Sequence, residues 1–410
     1  MSLIVFENAN VLDVIAGRIL PDRHVLLRED RIAEVSETPI KADNAQRFDL
    51  KGRTLMPGLC DAHVHATAAV ANFQALGRWS PSYVTAHAKD ILRGMLHRGF
   101  TTVRDAGGAD WGLAKAIGEG LIEGPRLLFC GHALSQTGGH GDMRGPGEQS
   151  LEGCFCCAGL GAVCDGVAEV RRAAREEVRR GATHLKIMVS GGVASPTDRI
   201  TSTQFSEEEI RAVVQEAEAA SIPVMAHAYT ARAVNRAIRC GVDSIEHGNL
   251  IDDSSVALFL EHDCFLVPTL AIYQALAKEG VEAGMPADLN AKVYDVLDAG
   301  IGAVDLAYKS GVKMAYGTDL LGVMHRHQLS EFALRGEAVK PADLVRMATC
   351  NAAALFRMTD RIGRIEHGFL ADVIVVDGNP LEDIGVLQDP PRYLKAVMKE
   401  GIFYKNELET

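Results

Sequence analysis

Gly58-Leu59-Cys60-Asp61-Ala62-His63-Val64-His65 closes the first long apolar run of the chain and carries two histidines two positions apart. Side chains alternate along an extended backbone, so both histidines point to the same side if this stretch is a strand. Two imidazoles on one side of a strand end can bind one metal ion. A polar turn is the alternative, and an isolated His-x-His pair would favour it. We favour a metal site because further candidate ligands follow downstream.

The composition excludes several classes of partner. The chain has 410 residues, of which 47% are hydrophobic and 23% charged, and its net charge is -12. Nucleic acid and anionic membranes both require a basic face, which this acidic balance disfavours. No apolar run reaches the roughly 18 residues of a transmembrane helix. The first residues lack a secretory signal pattern, so we expect a cytoplasmic protein, although a trimmed leader remains open.

The nine cysteines fall into two groups. Five are separated and mostly lie in apolar surroundings, which is typical of reduced core thiols; they are Cys60, Cys130, Cys240, Cys264 and Cys350. Four are close together but do not form the two Cys-x2–4-Cys pairs of a structural zinc site and have no nearby histidine; they are Cys154, Cys156, Cys157 and Cys164. We interpret the second group as loop thiols, with a disulfide or a metal site as the alternative.

The pattern of predicted elements changes twice along the chain. Short strands with turns are predicted at residues 3–5, 24–27, 31–35 and 48–50, and again at 371–377 and 393–397. Between them, apolar strands alternate with helical stretches such as 167–180, 231–239, 253–262, 289–309 and one that starts at the capping box of Ser206 and Glu209. The eight apolar strands are predicted at residues 55–65, 101–105, 126–130, 184–189, 223–227, 244–246, 265–270 and 313–316.

This alternation favours an α/β fold. Near-continuous apolar strands separated by helices indicate a parallel sheet that is covered on both faces. Eight units in about 260 residues match a closed (β/α)8 barrel, the TIM barrel, with an open doubly wound sheet as the alternative. We therefore predict a barrel of residues 55–360 and a small composite β-sandwich domain built from both chain ends, residues 1–54 and 361–410.

Candidate ligands recur at other predicted strand positions. Lys186 lies within the fourth strand, His227 ends the fifth, His247 follows the sixth and Asp319 follows the eighth. A strand-end histidine is often only a hydrogen-bonded core residue, and Asp319 can cap a helix instead. Lys186 is harder to explain in this way, because lysine is almost never buried without a partner. A desolvated lysine is neutral more often, and a neutral amine can add carbon dioxide to give a metal-bridging carbamate.

Together these residues resemble the binuclear branch of the amidohydrolase superfamily that contains a carboxylated lysine. The motifs are residues 58–65, Lys186, His227, His247 and Thr318-Asp319, and the segments 8–12 and 368–381 resemble the family too. The best match is the imidazolonepropionase-related group that contains metal-dependent Xaa-Pro dipeptidases (prolidases) and related carboxypeptidases. This resemblance covers nearly the whole chain.

The resemblance implies two divalent metal ions. His63, His65 and Asp319 are the implied ligands of the buried ion, and His227 and His247 those of the more exposed ion. Carboxylated Lys186 is the implied bridge, next to a bridging hydroxide. Imidazole and carboxylate ligands suit zinc. Asp319 is also the expected group that takes the hydroxide proton and delivers it to the leaving amine.

Substrate contacts are predicted from the loops that follow the strands. His140, in a glycine-rich loop after the third strand, is the candidate donor to the developing oxyanion. Tyr229 follows His227 by two positions and is the candidate contact of a substrate carboxylate. Residues 268–290 are expected to line the pocket for the leaving amino acid, with Thr269 and Tyr273 as candidate contacts. His325 and His327 are interpreted as surface residues.

These assignments predict zinc-dependent hydrolysis of dipeptides or N-acyl amino acids, with Xaa-Pro favoured because the pocket residues are small or apolar. Glu279 or Glu282, if directed inward, would instead suit a C-terminal Arg or Lys. A cyclic amide or imidazolone hydrolase is the second alternative. A non-enzymatic interaction protein is disfavoured because every expected ligand is present. The expected partner is a small peptide-like substrate, and we expect a homo-oligomer.

Overall fold

The structure is a computed structural model that describes residues 3–148 and 159–409. Its strands are β1 (Leu3–Asp13), β2 (Arg18–Arg28), β3 (Arg31–Ser36), β4 (Gln46–Asp49), β5 (Thr54–Pro57), β6 (Leu59–Val64), β7 (Phe100–Asp105), β8 (Arg126–Leu128), β9 (Ala133–Ser135), β10 (Gly161–Val163), β11 (Leu185–Met188), β12 (Val224–Thr230), β13 (Ser244–Leu250), β14 (Phe265–Val267), β15 (Val373–Val376), β16 (Leu394–Lys399) and β17 (Ile402–Asn406).

The α-helices of the same ranges are α1 (Phe73–Leu76), α2 (Pro81–His97), α3 (Trp111–Gly118), α4 (Gly166–Arg179), α5 (Glu207–Ala219), α6 (Ala231–Arg239), α7 (Asp253–Glu261), α8 (Leu270–Glu279), α9 (Ala287–Ala291), α10 (Gly300–Lys309), α11 (Ser330–Gly336), α12 (Pro341–Met347), α13 (Cys350–Leu355) and α14 (Pro390–Tyr393). Short 3-10 helices span Lys292–Asp295, Gly322–His327 and Ile384–Leu387. Among these helices, none has the length and apolar character needed to cross a membrane.

A mixed sheet joins the two ends of the chain. Its strand order is β17-β16-β15-β5-β1-β2-β3, and β4 pairs in parallel with β1. The join is made by β15, which runs antiparallel to β5 with Val373 opposite Pro57 and Val376 opposite Thr54. Phe6, Phe48 and Phe403 pack together in its core. The prediction that the C-terminal strands rejoin the N-terminal strands is confirmed.

Two parallel sheets form the centre of the chain. One has the order β6-β7-β8 and the other β10-β9-β11-β12-β13-β14. Every pairing in both sheets is parallel. All residues of β6, β7 and β11 are buried, as expected when helices cover a parallel sheet. The predicted α/β class is therefore confirmed.

Hydrogen bonds also link the two parallel sheets on both sides. Thr183 N donates to Phe129 O (2.8 Å), which connects the end of β8 to the start of β11. On the other side, Met314 forms a parallel bridge with Leu266 of β14. Ala62 N of β6 then donates to Tyr316 O at 2.7 Å. The stretch predicted as the eighth strand thus lies between β14 and β6, although it forms one isolated bridge instead of a continuous ladder.

The structure divides the stretch 55–65, predicted as one strand, at Gly58. A Cβ added at Gly58 would lie 2.2–2.8 Å from side-chain atoms of Thr101, so glycine is needed for the close approach of the two segments. β5 before this glycine belongs to the mixed sheet, whereas β6 after it belongs to a parallel sheet. The same glycine therefore marks the passage from the terminal sheet to the strand that carries His63.

The predicted helices are mostly present. The capping box before α5 is formed, with Ser206 Oγ accepting from Glu209 N and the Glu209 carboxylate accepting from Ser206 N. The predicted helix over 289–309 is broken into α9, a 3-10 turn and α10. At this break, Asn249 Nδ2 donates to Val296 O (3.0 Å), so a side chain satisfies a carbonyl that would bond within a continuous helix.

A buried arginine fixes the segments that end at the candidate site. Arg335 is fully buried and donates to Ala315 O (2.9 Å), to Gly317 O (3.3 Å) and to Pro268 O. Its charge is balanced by Glu331, at 2.6 Å. These carbonyls follow β14 and precede Asp319, so one guanidinium sets the spacing of two chain segments that carry site residues.

The cysteines whose surroundings are described are free. Cys60, Cys130, Cys164, Cys240 and Cys264 are buried and Cys350 is half-buried. The reduced core thiols are as predicted. Cys154, Cys156 and Cys157 lie outside the described residues, so the interpretation of the cysteine group stays a prediction.

An ion pair joins the mixed sheet to a parallel sheet and supplies a test of their docking. Asp372, which precedes β15, accepts from Arg126 of β8 at 2.6 Å, and its side chain is 2% exposed. Removing the Asp372 carboxylate takes one of two acidic partners from Arg126, which keeps Glu400 at 2.6 Å, and leaves the backbone N–H of Glu400 without its acceptor. We expect Asp372→Ala to lower the free energy of unfolding in urea by about 1–3 kcal/mol.

The control for this prediction is Asp305→Ala. Asp305 pairs with Lys309 on an exposed helix face, at 2.7 Å. An exposed i,i+4 pair contributes about 0.3–0.5 kcal/mol. Equal, small losses for both variants would contradict a stabilising role for the Asp372 pair.

Candidate metal centre

Three ligand atoms from opposite parts of the chain converge at one point. His63 is the second-last residue of β6, His65 directly follows that strand, and Asp319 follows the bridging stretch after β14. Asp319 Oδ1 lies 3.3 Å from His63 Nε2 and 3.1 Å from His65 Nε2. The ligand atoms of these three residues all lie within 4.8 Å of one another. We call His63, His65 and Asp319 the metal-binding group.

The hydrogen bonds around this group fit a cation. His63 Nδ1 lies 2.7 Å from Glu246 Oε2, and His65 Nδ1 lies 3.2 Å from the carbonyl oxygen of Gly107. Carboxylate and carbonyl oxygens only accept, so each Nδ1 carries a hydrogen, and Nε2 is the ring nitrogen that faces Asp319. Two imidazole nitrogens and a carboxylate thus face each other. Burial opposes ionisation of Asp319, but the attraction of His63 and the hydrogen bonds from His63 and His65 hold its pKa well below the usual value.

Two of the predicted ligands have a strained backbone. His247 has φ 75° and Asp319 has φ 57°, in the left-handed region that residues with a side chain rarely adopt. Such residues cost about 1–3 kcal/mol each and cluster at functional sites. The approach of the strand ends is equally close, since a Cβ on Gly317 would lie 2.5 Å from Val267 and 3.0 Å from His63 Cβ. The positions of these ligands are therefore imposed by the surrounding fold.

The remaining predicted ligands line the same cavity as the metal-binding group. His227 Nε2 lies 3.1 Å from Gly191 O, which leaves its Nδ1 as the free ring nitrogen. His247 Nδ1 contacts Thr269 Oγ1 at 2.7 Å, which leaves Nε2. Burial lowers the pKa of both histidines well below the usual value, so both are neutral. Lys186 is 2% exposed, and burial lowers the pKa of its amine as well.

The predicted oxyanion donor lies against the same histidines. The ring of His140 stacks on that of His227, with centroids 4.2 Å apart and planes at 22°. A Cβ on Gly192 would lie 2.0–2.5 Å from atoms of the His140 ring, so glycine is required beside it. His140 Nδ1 lies 2.8 Å from Ser195 Oγ. Burial lowers the pKa of His140 to about 4, against the opposing charge of Asp198.

Two of the three further predicted substrate contacts line the cavity, and the third does not. Tyr229 and Tyr273 both line the cavity, and the Tyr273 hydroxyl donates to that of Tyr229 at 3.0 Å. The Tyr229 ring lies 5.2 Å from that of His247, centroid to centroid. Thr269 contacts His247 through its hydroxyl and does not line this cavity. Its observed contact is with a candidate ligand.

The rest of the cavity wall is largely apolar. The side chains that form it include Phe73, Val193, Ile272, Leu276, Met285 and Leu321. Glu279 does not reach the cavity, because its carboxylate pairs with Arg326 and with His327 at 2.5 Å. Glu282 is exposed. Neither carboxylate therefore provides a negative charge for a cationic leaving residue.

Two supporting carboxylates were not anticipated from the sequence. Glu246 orients His63 and also accepts from Arg104, at 2.9 Å, and from Ser244, at 2.6 Å. Asp105 accepts from the backbone N–H of Ala66, next to His65, at 2.7 Å. Both are acidic residues inside apolar strands, and that placement was the available signal.

Comparison with known proteins identifies the class. The amidohydrolase family matches residues 54–402, and the chain belongs to this family. The chain is 31% identical over 422 residues to ochratoxinase of Aspergillus niger, covering 97% of this chain and 88% of that one. It is 26% identical to imidazolonepropionase of Micrococcus luteus, covering 88% and 89% of the two chains.

Solved structures agree with this assignment. A prolidase complexed with N-methylphosphonate-L-proline is 49% identical, with a TM-score of 0.97 and coverage of 99% of this chain and 100% of that chain. A Xaa-Pro dipeptidase with bound methionine is 29% identical, with a TM-score of 0.87 and coverage of 99% and 100%. The predicted resemblance is confirmed. With the metal-binding group, it defines a metal-dependent amidohydrolase.

Glu246 supplies a test of metal binding. Partners that orient a ligating histidine typically contribute about 10- to 100-fold to metal affinity. We expect Glu246→Gln to weaken zinc binding by about 10- to 100-fold in competition with a chelator. The reason is that a neutral amide oxygen holds the Nδ1–H of His63 less strongly than the carboxylate does. Glu261→Gln, at an exposed position, is the control. Unchanged affinity in a folded Glu246 variant would contradict this role.

The interpretation of His325 as a surface residue is wrong, because the structure buries it. The residue therefore supplies a test of pH dependence. The residue is 5% exposed, and burial lowers its pKa to about 3. Between the unfolded pKa of about 6.5 and this value, the unfolded chain binds more protons, so acid destabilises the fold. We expect His325→Leu to reduce the pH slope of the unfolding free energy of metal-free protein by up to about 1.4 kcal/mol per pH unit. An unchanged slope, like that expected for exposed His262→Leu, would contradict this.

Proposed function

We propose that the chain is a zinc-dependent dipeptidase that hydrolyses the peptide bond of dipeptides or N-acyl amino acids, with Xaa-Pro favoured. The observation that carries the proposal is a small cavity that is lined by the metal-binding group and whose remaining wall is largely apolar. The chain is 49% identical to a prolidase whose structure contains a proline phosphonate. An apolar wall suits the uncharged ring of proline, which needs no buried charged partner.

The proposed ligand set is His63, His65, Lys186, His227, His247 and Asp319, around two ions. Every histidine in it has one ring nitrogen occupied by a protein partner, which is the arrangement that orients metal ligands. Lys186 lines the same cavity, and burial favours its neutral amine. We therefore propose that Lys186 is carboxylated by carbon dioxide and bridges the two ions. Nitrogen and oxygen ligands fit zinc.

Divalent ions bound there would polarise the amide carbonyl and make water a nucleophile near neutral pH. The chain's own groups supply the proton transfer. The pKa of Asp319 is held well below its usual value, so Asp319 is ionised and available to take the proton of the attacking water. It can then deliver that proton to the leaving nitrogen. His140, stacked on His227 at the cavity, is the proposed partner of the developing oxyanion.

Two tyrosines are proposed to hold the substrate carboxylate. Tyr229 lies between His247 and Tyr273, and its hydroxyl accepts the hydrogen of the Tyr273 hydroxyl. The Tyr229 hydrogen is then available to a carboxylate in the cavity. Thr269 is proposed to act on substrate only indirectly, through His247. A carboxypeptidase for C-terminal Arg or Lys is disfavoured because Glu279 is already paired.

A cyclic amide or imidazolone hydrolase is the second candidate. It is favoured by the 26% identity to an imidazolonepropionase. A lactam or hydantoin without a carboxylate substituent leaves the Tyr229 and Tyr273 pair without its proposed partner.

The architecture proposed for this enzyme is a closed (β/α)8 barrel with a β-sandwich. The hydrogen bonds of Phe129 with Thr183 and of Ala62 with Tyr316 support closure of the parallel strands. The division into residues 55–360 and the composite domain 1–54 with 361–410 stays a prediction. The same is true of the homo-oligomer and of the cytoplasmic location.

A dipeptide library with a varied C-terminal residue tests the substrate. We expect zinc-loaded protein to turn over Xaa-Pro dipeptides with the highest kcat/KM, because the cavity wall is apolar and Glu279 is paired. Lactams and hydantoins form the comparison panel. Preference for Xaa-Arg, or turnover of the cyclic amides alone, would contradict the proposal.

Lys186→Ala tests the bridge in the same assay. We expect a loss of more than about 100-fold, above the effect typical of residues that only orient ligands. Wild-type protein grown with carbon-13 bicarbonate should show a carbamate carbon signal that the variant lacks. Lys115→Ala, exposed on α3, is the control for loss of a lysine. Normal turnover by Lys186→Ala at normal metal content would contradict the proposed bridge.

A further inference from the structure

A chain of hydrogen bonds leads away from the His140 ring into the loop after β11. His140 Nδ1 lies 2.8 Å from Ser195 Oγ, and this hydroxyl in turn makes a very short contact with Asp198 Oδ1. Ser195 is fully buried and Asp198 is 7% exposed. None of these contacts involves a candidate metal ligand directly. They form a buried His140–Ser195–Asp198 relay.

The direction of the relay follows from its donors. The Ser195 hydroxyl has one hydrogen, and its shortest contact is with the Asp198 carboxylate, which only accepts. The other acceptor within reach, Gly192 O, is 3.4 Å away. With its hydrogen on Asp198, Ser195 Oγ accepts from His140, so Nδ1 of His140 carries the ring hydrogen. A neutral His140 then presents the lone pair of Nε2.

Two further side chains hold the relay in place. Gln204 Oε1 accepts from the backbone N–H of His140 (2.9 Å), while its Nε2 donates to Asp198 Oδ2 (2.8 Å). Lys292 Nζ donates to the carbonyls of Ser195 (2.7 Å) and Asp198 (2.8 Å). Lys292 belongs to the segment after β14 that also supplies the cavity wall. Both ends of the relay are therefore anchored independently of the metal-binding group.

We propose that Ser195 and Asp198 are positioning residues for hydrolysis, which fix the orientation of the His140 ring and its Nδ1–H tautomer. This inference rests on the proposed function, because His140 faces the proposed reaction site. It also defines which ring nitrogen His140 presents there, because Nδ1 is engaged by Ser195 and Nε2 is left for the cavity.

Neutron diffraction from a deuterated crystal of the metal-loaded enzyme tests the tautomer without any substrate. We expect deuterium on Nδ1 of His140, and the Ser195 hydroxyl deuterium directed at Asp198. Deuterium on Nε2 with a bare Nδ1, or a Ser195 hydroxyl directed at His140, would overturn the proposal. Because no turnover is measured, this result is separate from success or failure of the dipeptide assay.

Ser195→Ala and Asp198→Asn test the consequence for catalysis. We expect both to lower kcat by about 10- to 100-fold, with KM changed less than about threefold and metal content unchanged. Ser202→Ala is the matched control in the same loop, since Ser202 Oγ accepts only a long bond from Arg199 N, at 3.3 Å. It should retain wild-type kcat.

The kinetic comparison is made on the best substrate of the library screen. Folding of each variant is checked by its thermal midpoint, so a loss of kcat in an unfolded protein is not counted as support. Wild-type kcat in a folded Ser195→Ala enzyme would overturn the positioning role. A loss of metal from that variant would overturn it as well, because the relay would then act on the metal ligands and not on His140.

Discussion

The convergence of His63 Nε2, His65 Nε2 and an Asp319 oxygen is the constraint on which the site depends. Each imidazole already donates from Nδ1, so Nε2 is the nitrogen that each ring offers to a cation. A buried carboxylate between two such nitrogens requires positive charge beside it, which a metal ion would supply. The fold holds these three groups together, even with a left-handed backbone at Asp319.

The fold meets this constraint with parallel strands whose ends reach one cavity. β6 carries His63, β11 carries Lys186, β12 carries His227 and β13 carries His247. Arg335 fixes the segment before Asp319 through three carbonyls. A hydrogen bond to a buried protein group occupies one ring nitrogen of each histidine and leaves the other ring nitrogen for a metal ion. The loops and helices after the strands contribute the rest of the cavity, namely His140, the tyrosines and the apolar wall.

The sequence was sufficient to predict that the strand-end candidates meet at one cavity, because parallel strands bring their ends to one edge and place His227 beside His247. It did not reveal Glu246, Ser195 or Asp198, since their roles depend on hydrogen bonds between segments far apart in the chain. His325 was misread for a similar reason: its burial arises from packing of the loop after Asp319. The break near residue 296 is accompanied by a side-chain bond from Asn249, which periodicity does not record.

The most direct measurement is anomalous X-ray diffraction from crystals of the zinc-loaded enzyme, recorded on both sides of the zinc absorption edge. The account predicts an anomalous peak between His63 Nε2, His65 Nε2 and Asp319, with a second peak on the side of His227 and His247. An enzyme that hydrolyses dipeptides at its full rate, with no anomalous density among His63, His65 and Asp319, would contradict it.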